Sequence, residues 1–180
     1  MPFSELSDEK LMRDAAGGRF SAFEEFLERH QGRLLNFLWR LCGSEDAARG
    51  LFDGCWAELY RLRGTQAATQ DAQTLLFSVA MRKAAKLLAE NPGMASPRGV
   101  PAQGDASSLD WRSGRLNDAL LSLPMRERAA LLLCFFDSLS YHAAASCLNE
   151  REENLRTLCG QGLGRLLETL GDGFLGAGLP

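Results

Sequence analysis

The 180-residue chain has no basic block: its 20 Lys and Arg are scattered among 23 Asp and Glu, for a formal charge of −3. A free-standing, high-affinity nucleic-acid binder needs concentrated positive charge to displace phosphate counterions, so DNA contact here needs help from a partner. Long apolar runs are missing too. The longest, such as ALLLCFF at Ala130 to Phe136, fall far short of the roughly 20 residues that cross a bilayer, so no membrane span is expected. The N-terminus, MPFSELSDEK, is polar and acidic where a secretory signal has a basic start and an apolar run, which points to the cytoplasm. Only two histidines occur, His30 and His142, and they lie in different halves of the chain. With no P-loop, G-x-S-x-G or H-E-x-x-H motif, neither an enzyme nor a cofactor is expected.

What is present is enough apolar material to fold. Hydrophobic residues make up 46% and charged residues 24%, which suits one sizeable core or two small ones and argues against general disorder. The five cysteines (Cys42, Cys55, Cys134, Cys147, Cys159) sit in apolar helical patterns and never form a C-x-x-C pair, so reduced core thiols are expected. Cys134, His142, Cys147 and Cys159 are spaced 8, 5 and 12 residues apart, which does not set them on one helical face as a zinc site.

Periodicity is helical nearly throughout. Ser7 followed by Asp8 and Glu9 is a capping start for a short helix closed by Gly17 and Gly18. Ser21 to Glu24 matches an S-x-x-E capping box opening a helix with Phe23, Phe26, Leu27, Leu34, Phe37, Leu38 and Leu41 on its apolar side. Ser44 caps a third helix to about Leu62, and a fourth runs from about Asp71 until Pro92 disfavours further helix. Residues 91–112 hold three prolines, three glycines and few large apolar residues, as expected of a flexible linker. Short helices at about 114–122, 125–136 and 140–148 follow, then a longer one at about 152–170. The predicted organisation is therefore all-α: a helical domain at 1–90, the linker at 91–112, a second helical domain at 113–172 and a flexible tail at 173–180. GDGFLG at Gly171 to Gly176 satisfies G-x-G-x-x-G, but no strand precedes it and no helix has room to follow, which excludes a dinucleotide site.

The order of these elements resembles the small sigma-70 family factors of the extracytoplasmic function (ECF) group. DEKLMRDAAGGRFSAFEEFLERHQGRLLNFLWRLCGSEDAARGLF is similar to the family's region 2. LNDALLSLPMRERAALLLCFFDSLSYHAAASCL is similar to region 4, with SLP, Arg128 and LSY at Leu139 to Tyr141 in family positions. The resemblance implies a transcription initiation factor whose region 2 docks on core RNA polymerase and melts the −10 element, while a helix-turn-helix in region 4 reads the −35 element. An anti-sigma protein is an expected further partner.

Carried over residue by residue, the resemblance implies a polymerase-docking face at Asp46, Leu51, Phe52, Asp53 and Trp56, although Gly54, Ala48 and Arg49 stand where the family has acidic residues. It implies −10 contacts from the fourth helix, where Arg82, Lys83 and Lys86 can meet phosphates and the residues for base readout are replaced. It implies −35 contacts from Arg151, Asn154, Arg156 and Thr157, with Asn149 in a left-handed turn. Glu150, Glu152 and Glu153 crowd that same end, favourable to a helix dipole and repulsive to phosphate. Leu155, Leu158, Leu163, Leu166, Leu167 and Leu170 either all enter the core or leave one side of this helix for a partner protein. The expected function is promoter-directed initiation with polymerase. The alternative is a sigma-like regulator that binds polymerase or an anti-sigma protein without reading promoters.

Overall fold

The computed structural model describes residues 3–64, 71–91 and 110–171, and every structural statement below concerns those residues. They form eight α-helices and no strand, as the periodicity predicts. A 3-10 turn, Phe3–Glu5, leads into α1 (Asp8–Ala16), α2 (Phe20–Cys42), α3 (Glu45–Leu62) and α4 (Ala72–Glu90). Then come α5 (Asp110–Ser122), α6 (Met125–Leu131), α7 (Tyr141–Leu148) and α8 (Glu152–Leu170), with Leu132–Phe136 prolonging α6 as a π-turn. Most of the expected linker, the whole expected tail and GDGFLG beyond Gly171 lie outside the described residues.

Side-chain caps explain several helix starts. Ser7 and Ser44 each accept a backbone N–H three residues on at 3.3 Å, Asp71 accepts from Thr74 at 2.9 Å, and Ser140 accepts from Ala143 at 3.1 Å. Each such cap stabilises its helix by about 1 kcal/mol. The capping box at Ser21 does not form: α2 begins at Phe20, and its N-cap Arg19 makes no side-chain cap bond. The cause lies in how α1 closes. Gly18 takes a left-handed φ of 93° and donates to Ala15 O at 3.1 Å, while Arg19 N donates to Asp14 O at 3.0 Å. That closure puts the extended cap conformation at Arg19 (φ −82°, ψ 91°), so Ser21 already lies inside the helix, and Ala22 N bonds Arg19 O at 3.1 Å.

In the first four helices, α2 is the spine. Phe26, Leu34, Phe37, Leu38 and Leu41 are buried along it, with α1, α3 and α4 packed around. Phe23, Phe26, Phe52, Trp56 and Tyr60 meet edge to face, with ring centroids 5.0 to 6.2 Å apart. Burial of rings this size dominates the stability of such a core.

The last four helices bury Leu120, Leu123, Leu131 to Leu133, Ala144, Ala145, Leu155, Cys159 and Leu166 among themselves. The two sets also join: α4 packs on α7, α2 touches α5 and α6, and the buried residues form one continuous cluster. Polar ties cross the same boundary. The Arg128 side chain, 2% exposed, donates to Leu41 O at 2.6 Å and also to Leu121 O and Leu123 O at 2.8 and 2.9 Å. Burial without a carboxylate pulls its pKa below the ordinary arginine value.

Candidate functional site

The docking face expected on α3 is largely at the surface. Asp46 and Asp53 are exposed, and Leu51 and Phe52 are half-buried. Trp56 is a correction. Its side chain is 6% exposed and turned into the core against Phe23 and Phe26 at 6.1 and 6.2 Å, with Phe52 edge-on to it at 6.0 Å. One helical turn carries Phe52 to the rim and Trp56 beneath it, so the indole braces this face rather than presenting itself to a partner.

The α4 cations are near the surface but engaged. Glu58 of α3 accepts from Arg82 and lies 3.0 Å from the Lys83 ammonium. Hydrogen bonding from Lys83, with help from Arg82, holds the Glu58 carboxyl below its ordinary value. Gly54 makes room for this. A Cβ there would sit 3.5 Å from Lys83 Nζ, so the lysine stem runs across the glycine to reach Glu58. Two cations on one carboxylate leave net positive charge at this edge. Lys86, one turn on, is 3.9 Å from Glu90 and well exposed.

In the second half α7 and α8 make the expected helix-turn-helix. Asn149 sits at φ 53° and ψ 47°, the left-handed conformation that lets α7 end and the chain turn. Arg151 is exposed at the N-cap of α8. The remaining residues expected to contact DNA divide between two flanks, since residues 154 and 156 are about 200° apart around a helix. On one flank, Asn154 donates to Glu150 at 2.9 Å and Glu150 pairs with Arg126 at 2.7 Å. Thr157 donates to Glu153 O at 3.0 Å, and Arg126, Glu150, Asn154, Thr157 and Leu158 line a groove of about 270 Å³. On the other flank, the Arg156 guanidinium lies 4.5 Å over the Tyr141 ring and 3.9 Å from Glu152. Asn154 and Thr157 are thus brought together, and Arg156 is kept apart from them.

The leucines of α8 split as well. Leu155, Leu166 and Leu170 are buried and Leu158 is half-buried, while Leu163 and Leu167 stay 47% and 48% exposed as an i, i+4 pair. Beyond the reach of sequence reasoning was the seam between the halves. Arg33 of α2 donates to the carbonyl of Asp137 and lies 3.6 Å from its carboxylate, and Arg40 covers the Phe136 ring at 4.8 Å. Burial pushes the Asp137 carboxyl up to about 6 against the opposing pull of Arg33 and Arg40. Nothing in LCFFDSLS marks that aspartate as buried. Only the packing of α2 on the π-turn does.

No protein-family model and no curated protein matches the chain. Solved structures do. The structure of CnrH in complex with the cytosolic domain of CnrY superposes with a TM-score of 0.72 at 16% identity, covering 91% of this chain and 96% of that one. The sigma factor RpoE in complex with the anti-sigma factor NepR from Bartonella quintana superposes with a TM-score of 0.63 at 20% identity, covering 82% and 96%. At such identities the likeness is one of architecture, and it agrees with the helix order and the turn at Asn149: the chain has the all-α, two-part fold of an ECF sigma factor.

Proposed function

We propose that the chain is a sigma-type transcription initiation factor. It docks on core RNA polymerase through the α3 face of Asp46, Leu51, Phe52 and Asp53, braced by Trp56. It directs initiation through Arg82, Lys83 and Lys86 at the −10 element and Arg151, Asn154, Arg156 and Thr157 at the −35 element. The observation that carries this reading is the sigma fold over 91% of the chain, together with an α3 face left open at the surface. The domains proposed for these tasks are 1–90 and 113–172.

Geometry adds a condition. Elements named −10 and −35 lie some 25 base pairs apart, about 85 Å at ~3.4 Å per pair. A compact chain of 180 residues has a radius of gyration of only about 16 Å. The packed halves cannot reach both elements, so promoter reading requires them to part once docking supplies the free energy. An anti-sigma protein, the partner recorded for RpoE, is proposed as a cytoplasmic partner here, with Leu163 and Leu167 as its apolar contact.

The test is affinity for core polymerase. Reversing charge in an Asp46→Arg, Asp53→Arg double variant is expected to weaken binding at least tenfold, and unchanged affinity would remove α3 from the account. A second reading, a regulator that occupies polymerase without reading promoters, is favoured by the engagement of Arg82, Lys83, Asn154 and Arg156 with Glu58, Glu150 and Glu152. Sequence-specific protection at both elements would discard it.

A further inference from the structure

Cys134 and Cys159 stand apart from the other thiols. Their sulfurs are 3.9 Å apart, with the Cys159 thiol donating to the Cys134 sulfur. Cys159 is buried on α8, while Cys134 is half-buried in the π-turn, beside Phe135 at 59% exposure. Cys147, by contrast, is occupied: it donates to Thr74 O and accepts from Ser78, both at 3.5 Å. We propose that Cys134 and Cys159 form a modification site, a dithiol that a hydroperoxide converts to a disulfide, bracing α8 against the end of α6.

The geometry requires a small motion. A disulfide needs about 2.05 Å between sulfurs, so the pair must close by about 1.9 Å from its 3.9 Å separation. Cys134 is on the element able to supply it. A π-turn holds an extra residue relative to an α-turn, so it is the local departure from regular helix in which a shift of this size is taken up. With hydrogen peroxide, the Cys134 sulfur attacks one peroxide oxygen, the O–O bond breaks and the thiol proton passes to the departing oxygen, giving a sulfenic acid and water. The Cys159 sulfur then displaces the hydroxyl as a second water, forming the S–S bond. Two electrons pass from the sulfurs to the peroxide, and a dithiol reductant reverses the change.

Burial pushes the Cys134 thiol up to about 12 and raises Cys159 as well, so little thiolate exists at neutral pH. The site therefore responds slowly, to sustained peroxide, and faster as pH rises. The consequence reaches in two directions. Cys159 shares α8 with Asn154, Arg156 and Thr157, and the π-turn runs directly into Asp137, which holds Arg33 of α2. Cytoplasmic disulfides, where they occur, are mostly of this reversible, sensing kind.

The test treats the full chain with hydrogen peroxide, blocks remaining thiols with N-ethylmaleimide and maps peptides by mass without reduction. The expected result is a Cys134–Cys159 linked peptide that dithiothreitol releases, together with a higher melting temperature of the oxidised protein. In Cys159→Ser the link is absent and dimedone captures a sulfenic acid at Cys134. The proposal is overturned if both thiols remain fully alkylated after peroxide. It is equally overturned if the five cysteines cross-link in the same proportions as they do in urea. None of these outcomes depends on whether the chain reads DNA.

Discussion

A single arginine does more for this fold than its place in the helix-turn-helix half suggests. Arg128 satisfies three carbonyls, one of them on α2 in the other half. Replacing it by methionine keeps the apolar stem and orphans those oxygens. Arg128→Met is expected to lower unfolding free energy by about 3 kcal/mol, read as a lower urea midpoint, since buried unsatisfied polar groups cost about 1–3 kcal/mol each. Asp137 makes a prediction in pH. Folding raises its carboxyl from 3.8 to about 6, so the folded state holds the proton more tightly. Its contribution to stability is fully present below pH 4 and is lost as pH rises through 6. The melting temperature of the wild type, measured against Asp137→Asn, should therefore improve between pH 7 and pH 5. A difference that does not change with pH would contradict the burial of that carboxyl.

The helices show what was readable from sequence and what was not. Caps at Ser7 and Ser44 and the turn at Asn149 were legible because each depends on a side chain and its immediate neighbours. The false start at Ser21 was a local signal overruled by the tight closure of α1 at Gly18, which propensity alone does not reveal. The α3 stripe proposed for docking was legible as helix periodicity, yet Trp56 lies under it, because amphipathic spacing does not say which rim residue turns inward. Least legible were contacts distant in sequence, Arg33 with Asp137 and Cys134 with Cys159, which exist only once helices pack. Glycines offer a graded test within these elements. A Cβ at Gly50 meets nothing within 4 Å, so Gly50→Ala should stabilise α3 by up to about 1 kcal/mol. At Gly43, φ is +69° and a Cβ would come within 2.7 Å of Leu121 Cδ2, so Gly43→Ala should destabilise the protein and loosen α2 from α5. Denaturant titration of both variants should give opposite signs.

At the scale of the whole molecule, the seam between halves governs what the protein can touch. Arg33→Glu sets a carboxylate against Asp137. It is expected to speed amide exchange in α5 and α7 while leaving α1 to α3 unchanged, and uniform acceleration would mean that the halves do not separate as units. Under the proposed function, a sigma fold closed along such a seam, with its α4 and α8 cations held by nearby carboxylates, would read promoters only after docking on polymerase had opened it. The most direct measurement is transcription in vitro from pooled genomic fragments, with core RNA polymerase and the purified chain, mapping the 5′ ends of the products. The account predicts discrete start sites that share paired upstream sequences and vanish when the chain is omitted. Start sites indistinguishable from those of core enzyme alone, in reactions where the chain is bound to polymerase, would contradict it.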